Sequence, residues 1–458
     1  MTPRGVLAFC REKEVKAIDL RFTDLVGTWH HVTVPVSRLS EASFEHGFAV
    51  DTANFFATSS GDRLVIPQAT SAFLDPFASV PTLILFGSLQ DPITREEDPF
   101  DSRIVAERSI NFLQGTGIAD RARIATTCEF YLFNDVQIAL SAWESAISVS
   151  PEKMSNHRMT QSGSLSSDSG STLGSPRIDS SFDFRNAVME LLTDAEIPVS
   201  QHYPIGLIGG QAALEIEARD LVAASDSMIA AKFIVRSAAK RNGRLATFLP
   251  KPIESLRGSG MPLRFSLWRG EEPLFGGQGF GGLSELAMLA MGGILQHAPA
   301  LAAFCNPTTN SYRRLHHSIE QTYCVGYSQE FQRTACRIPF SSSDPKAKCI
   351  EFRLPDGSAN PYLAFSAILM AAIDGIQNKI QPGAPVSSEA DLCALKKPLP
   401  SSLWDALDCL EHDWDFLLRG DVFSQEMLDR WLHYKRKIER PTVESHPTPA
   451  EYQQYFDC

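Results

Sequence analysis

The sequence predicts an α+β protein, and three observations carry that expectation. Over residues 1 to about 100, short segments rich in β-branched residues alternate with turn signals. Further on, apolar stretches of helical length follow capping residues at Ser284 and Asn360. The 458-residue length implies two or three domains, or one large domain with an appendage, and 43% hydrophobic residues suffice for a large core.

Taken in order, Val15 to Phe22 and His30 to Val36 read as strands, with Asp24 and Gly27 in the turn between them. Gln90 to Arg103 is charged and contains proline, and reads as a linker. Ile124 to Phe133, IATTCEFYLF, reads as a strand. Ser148 to Phe182 is rich in serine and poor in aromatics. It predicts a flexible insertion, because it cannot bury enough surface to order itself. Helical periodicity resumes over Asp183 to Ala195. Ser284 to Phe304 predicts a helix capped by Ser284 and weakened locally by Gly292 and Gly293. Asn360 and Pro361 open another helix: asparagine caps, and proline sits in the first turn, where its missing N–H is harmless. The apolar run Leu363 to Ile376 assigns that helix to the core, and Ser402 to Lys437 is helical with a break near Gly420.

Composition excludes several classes. A net charge of -12 without a long basic run argues against nucleic acid as a partner. Nine cysteines without a CxxC argue against a disulfide framework or a zinc site and fit a reducing cytoplasm. No apolar run is expected to span a bilayer, and the N-terminal apolar stretch is too short for a signal peptide. Gly277 to Gly282, GQGFGG, formally matches a dinucleotide fingerprint. It lacks the surrounding βαβ unit and an acidic residue about 20 positions on, so it reads as a turn before the Ser284 helix. His316 and His317 are adjacent, point apart and do not form a metal pair.

Six segments carry a more specific signal: FEHGFAVD (Phe44 to Asp51), ATFLPKP (Ala246 to Pro252), GSGM (Gly258 to Met261), NPTTNSYRRL (Asn306 to Leu315), RLPDGSANPYLAF (Arg353 to Phe365) and HPTPAEYQQYF (His446 to Phe456). In this order they resemble the glutamine synthetase family, and the ending is similar to its bacterial type I form. The resemblance implies a β-grasp domain over residues 1–100. It implies a catalytic α/β domain with a barrel-like antiparallel sheet over 104–458, interrupted by the Ser-rich insertion at about 148–182. It also implies ringed oligomers with sites between neighbouring subunits. In the family reaction ATP and Mg²⁺ activate the glutamate side chain as an acyl phosphate, which ammonia or another amine attacks.

The resemblance also assigns roles residue by residue. Glu129 and Glu351 match metal ligands. Asp51 matches the aspartate that helps deprotonate ammonium at the subunit junction. Arg314 and Arg353 match the arginines that grip glutamate and the transferred phosphoryl group, and Glu320 matches the flap glutamate. Ser266, Arg337 and Lys346 match the nucleotide side. The remaining ligand positions are altered. The ExE motif becomes Thr127-Cys128-Glu129, the HHE segment becomes HYPIG (His202 to Gly206), and the GQxE glutamate becomes Ala213. The family's GSGMHxHxSL reads GSGMPLRFSL, so its histidines are Pro262 and Arg264, and the asparagine before it is Arg257. Mg²⁺ needs hard oxygen ligands, and two of six remain.

The sequence therefore predicts a glutamine-synthetase-like protein with impaired or lost catalysis. It would serve a binding, regulatory or assembly role as a homo-oligomer or with an active paralogue. Two alternatives stand beside it: an active glutamate–amine ligase with a rebuilt metal site, in which Glu215, Glu217 or Glu254 refills the gap, and a purely structural ring. Arg257 and Arg264 are expected to grip an anionic ligand directly.

Overall fold

The computed structural model describes residues 1–52, 61–141, 145–151, 179–205, 210–316, 324–331, 333–340, 344–388, 391, 398–445 and 448. Six strands form a first sheet: β1 (Ala17–Thr23), β2 (Trp29–Pro35), β3 (Phe48–Asp51), β4 (Asp62–Pro67), β5 (Phe73–Leu74) and β6 (Thr82–Gln90). Their order is β2-β1-β6-β4-β3, with β5 on β6, and β1 runs parallel to β6. Gly27 closes the β1–β2 turn at φ +94, a backbone region that favours glycine. Asp24 braces the same turn by accepting from the Thr28 N–H at 2.7 Å.

Strand β1 is buried on both faces. On one side Ile18 and Leu20 pack with Val6 of the Pro3–Glu12 helix. On the other side Arg21 lies over Trp29 and Phe233, 4.4 and 4.2 Å from the ring centres. Phe233 belongs to the Leu221–Arg241 helix, so the first sheet is seated on the rest of the molecule. The expected linker is tied down. Asp98 pairs with Arg63 at 2.5 Å, and Asp101 caps the Ser102–Thr116 helix while accepting from the Leu89 N–H at 2.6 Å.

The second sheet has ten strands. They are β7 (Arg121–Leu140), β8 (Ser145–Pro151), β9 (Val199–Pro204), β10 (Gln211–Asp220), β11 (Leu245–Thr247), β12 (Leu263–Arg269), β13 (Glu272–Pro273), β14 (Cys324–Ser328), β15 (Thr334–Arg337) and β16 (Ile350–Phe352). The main order is β14-β15-β16-β12-β7-β10-β9, antiparallel except between β14 and β15. Successive side chains of a strand point to opposite faces. Ile124, Cys128 and Phe130 of β7, Leu214 of β10, Phe265 of β12 and Phe352 of β16 join the helical core. Their neighbours Thr127, Glu129, Glu215, Arg264 and Glu351 therefore share the other face.

The helices meet their expected caps. Ser284 accepts from the Ala287 N–H and begins Glu285–Cys305; Asn360 accepts from the Tyr362 N–H and begins Pro361–Gln377. Gly292 and Gly293 are not weak points but close backbone contacts: Gly292 lies against the Ile380 carbonyl just past the second helix, and Gly293 marks the crossing of the two helices. A Cβ on Gly293 would lie 2.0 Å from the Ala371 carbonyl and 2.7 Å from Gly375. Contrary to expectation, Glu285–Cys305 is long and apolar enough to cross a membrane; 78% of its apolar window is buried inside this fold. The Ser-rich segment also departs from expectation at its start, where Ser148 to Ser150 pair with β7. Residues 152–178 lie outside the described residues. The C-terminal helical stretch breaks where expected, with Gly420 at φ +64 against Phe112.

Candidate active site

Sheet register assembles the site. Glu129 lies opposite Ala213, and Glu215 opposite Thr127. Arg264 lies between Ala125 on β7 and Glu351 on β16, and Glu351 lies opposite Arg337. Three carboxylates and two arginines thus meet on the face away from the helices.

The GSGM loop closes over this face. Gln211 Nε2 donates to the Gly258 carbonyl and to Ser259 Oγ, each at 3.0 Å. The Gly260 N–H donates to Glu129 Oε2 at 2.6 Å. A Cβ on Gly258 would lie 2.5 Å from Arg314 Cγ and 2.9 Å from the Pro250 carbonyl, so glycine is needed for the loop to lie on the arginine. Buried Arg314 donates in turn to the Leu354 carbonyl.

Glu129 is enclosed. Burial pushes its carboxyl pKa up, against the opposing pull of Arg257, the Gly260 N–H, Arg314 and Arg353. Glu351 is ringed by guanidinium groups: Arg337 Nε at 3.2 Å, Arg353 Nε at 3.5 Å and Arg264 Nε at 3.6 Å. Arg264 also reaches Glu215, 3.3 Å away from Nη1. Burial works against the Arg264 charge, but Glu215 and Glu351 outweigh it and hold the pKa above its usual value. Tyr203 Oη completes the group by donating to Glu215 Oε1 at 3.4 Å.

The other expected residues are placed as follows. Ser266 lies on the same face, where its Oγ accepts from Trp268 Nε1 at 3.0 Å. Lys346 is exposed in the short turn Pro345–Ala347. Asp51 ends β3 on the first sheet, whereas the residues just described lie on the second. Glu320 lies outside the described residues. His202 is turned from the site into a polar network, with Arg185 Nε 3.2 Å from Nδ1 and Asn186 Oδ1 2.9 Å from Nε2.

Matching single motifs gives the ligand position to Ala213 and leaves Glu215 only as a possible substitute, yet Glu215 is the participant. Its position two residues beyond Ala213, on the same face, is the signal that points to it. Arg264 also differs from expectation, since its guanidinium is held between two carboxylates of its own chain.

These residues do not fit the family's divalent-metal site. Among the described residues, no three His, Cys, Asp or Glu side chains converge as a metal-binding group. Thr127, Ala213 and Pro262 supply no carboxylate or imidazole, and the surviving Glu351 is already neutralised by arginines. A cation approaching Glu351 would meet fixed positive charge.

Comparison with known proteins agrees with the scaffold. Residues 14–92 match the family description "Glutamine synthetase, beta-Grasp domain", and residues 99–455 match "Glutamine synthetase, catalytic domain". The chain is 39% identical over 467 residues to a glutamine synthetase of Frankia alni, covering 99% of this chain and 98% of the relative. It is 38% identical over 467 residues to that of Aquifex aeolicus, covering 100% and 99%. Among solved structures, Plasmodium falciparum glutamine synthetase superposes with a TM-score of 0.88 at 23% identity, a likeness of fold, with 99% of each chain covered. A protein described as GmaS without ligand gives a TM-score of 0.80 at 26% identity, again with 99% of each chain covered. The β-grasp domain, the ten-stranded sheet, the ordered motifs and these full-length matches lead to one conclusion: the chain belongs to the glutamine synthetase family.

Proposed function

We propose that this chain is a glutamine-synthetase-like protein in which ATP- and Mg²⁺-dependent glutamate–amine ligation is impaired or lost. Its remaining role is binding, regulation or assembly, in a cytoplasmic ring of its own copies or together with an active paralogue. The observation that carries this reading is the Arg264 guanidinium between Glu215 and Glu351. Electrostatic stabilisation is usually the largest catalytic term, and in phosphoryl transfer it depends heavily on cations that neutralise the nucleotide and the developing charge. With Thr127, Ala213 and Pro262 at ligand positions, those cations lose their holders. Arg314 and Arg353 keep the places of the family's glutamate- and phosphoryl-gripping arginines, and Ser266, Arg337 and Lys346 keep those of its nucleotide side. In a ring, Asp51 would serve the neighbouring subunit's site, and Glu320 would belong to the flap.

The test is calorimetric titration of ATP with and without Mg²⁺, paired with an assay of glutamate-dependent phosphate release using ammonia and other amines. No Mg²⁺-dependent binding and no phosphate release are expected. Mg²⁺-dependent binding with turnover would overturn the reading. It would favour the alternative of an active glutamate–amine ligase, for which the placement of Glu215 opposite Thr127 is the specific support. A purely structural ring would bind neither nucleotide nor phosphate.

A further inference from the structure

A small cleft opens where the first sheet meets the Leu221–Arg241 helix, on the core side of the molecule rather than on the face that carries Glu129, Glu215 and Glu351. Its volume of about 40 Å³ leaves room for about three water molecules. Phe73 of β5, Phe86 of β6, Ile197 and Ala230 line it with apolar surface, and all four are buried members of the core behind the ten-stranded sheet. This lining is held in place: the Phe86 ring stacks on Trp29 at 5.0 Å and lies 6.4 Å from the Phe73 ring.

Three charged residues border the apolar lining: Asp226, Glu196 and Arg219. Asp226 is already matched. Arg103 donates to both of its oxygens, from Nε at 3.2 Å and from Nη2 at 3.3 Å, and Tyr362 Oη donates to Oδ1 as well. Glu196 is exposed, where water screens its carboxylate, and it turns its backbone carbonyl to Arg219. Half-buried Arg219, near the end of β10, is bonded only to neutral groups among the described residues. Its Nη1 donates to the Glu196 carbonyl at 3.0 Å and to Ser227 Oγ at 2.9 Å. A guanidinium carries five N–H donors in a fork that matches a carboxylate, so its charge and its remaining donors are open to a ligand. We propose that this cleft binds a small monocarboxylate with a short apolar tail, of the size of propionate. Arg219 takes the carboxylate, and the tail lies on Phe73 and Phe86, so the ligand bridges the first sheet and the Leu221–Arg241 helix. The inference is independent of the loss of ligation proposed above, because the cleft shares no residue with that site.

The experiment titrates propionate into the full chain and follows the ligand by saturation-transfer NMR. So small a ligand should bind with a Kd on the order of 1 mM. Propionamide has the same shape without the charge and should bind about tenfold more weakly, the order expected for a charge-assisted contact. Arg219→Gln should weaken propionate by the same factor. That variant also removes two structural hydrogen bonds, so a second variant keeps the arginine and fills the space instead. Ala223, half-exposed on the helix, lines the cleft. Ala223→Leu should abolish propionate binding while the thermal unfolding midpoint stays within a few degrees of wild type.

Failure of wild type to bind propionate would overturn the proposal. So would propionate binding that is unaltered in Arg219→Gln or in Ala223→Leu. Propionamide, n-propylamine or inorganic phosphate binding as tightly as propionate would overturn the ligand class, since the first lacks the charge, the second reverses it and the third lacks the tail.

Discussion

The two faces of the ten-stranded sheet have opposite characters. Behind it, the Glu285–Cys305 and Pro361–Gln377 helices meet glycine against glycine, with a Cβ on Gly375 placed 2.3 Å from the Leu289 carbonyl. In front, Thr127, Ala213, Pro262 and Arg264 stand where the motif resemblance places the family's carboxylates and histidines. The back face is set by backbone contact, and only glycine satisfies it. The front face is set by charge, and charges can be exchanged while the strands keep their register. The difference explains how a chain can resemble synthetases along nearly its whole length and still present a different set of charged side chains.

The largest effect should come from the back. Gly293→Val would drive a side chain into the Ala371 carbonyl, and the two helices would have to separate. A loss of roughly 4 kcal/mol or more is expected, the scale of the worst core defects. Thermal unfolding would register it as a large fall in midpoint or as failure to recover soluble protein. A midpoint within a few degrees of wild type would show that the back face tolerates what the geometry forbids.

Next in size is an attempt to restore the front. Thr127→Glu with Ala213→Glu places two carboxylates beside Glu129 and Glu215 in a region where Thr127 is 9% and Ala213 0% exposed. Burying unpaired charge should cost roughly 3 kcal/mol. While Arg264 remains, Mn²⁺ should not recover that loss. Adding Arg264→His should make the unfolding midpoint depend on Mn²⁺, by about 2.7 kcal/mol at a hundredfold excess over Kd. Recovery by Mn²⁺ with Arg264 still in place would break the idea that this arginine keeps metal out.

Gln211→Ala tests the link between the faces. It removes two hydrogen bonds that hold the GSGM loop and leaves the Gly258 carbonyl without that donor. A loss of about 2 kcal/mol is expected from the denaturant midpoint.

Much of this architecture is legible in the amino-acid sequence. Ser284 and Asn360 cap the helices that their sequence signals announce, because a cap is a local event. The ordered motifs point to the fold, and Ile124 to Phe133 is read correctly as strand, although β7 extends beyond it at both ends, from Arg121 to Leu140. Three features depend on contacts between distant segments, and the sequence misleads about each. Gly293 resembles a helix weakness because its partner glycine, Gly375, is about 80 residues away. Glu215 looks dispensable because sequence alone does not give the register of β10 against β7. Arg264 looks poised for an external ligand because Glu215 and Glu351 come from strands far apart in the chain.

The smallest expected effect asks whether the back face is as independent of charge as the contrast between the faces implies. His297, on the Glu285–Cys305 helix, lies between Asp374 at 3.1 Å and Asp413 at 2.8 Å and stacks on Phe416 at 4.0 Å. Arg419 also holds Asp374, at 2.7 Å. Burial disfavours the imidazolium, but the bonds to Asp374 and Asp413 outweigh it, so the His297 pKa is raised. The Asp374 carboxyl is depressed, first by its bond to His297. A raised histidine stabilises fully below its unfolded value of about 6.5 and loses that contribution as pH rises through its folded value. A depressed aspartate contributes above its unfolded value of about 3.9 and loses the contribution as pH falls through its folded value. The cluster should therefore stabilise most between those two limits and fade on the alkaline side, by about 1 kcal/mol. Urea midpoints measured from pH 5 to 8.5 should show this decline in wild type and in Arg264→Gln alike, and should flatten in His297→Gln. If the decline instead followed the Arg264 substitution, ionisation at the front would be controlling packing at the back, and the two faces would not be separable.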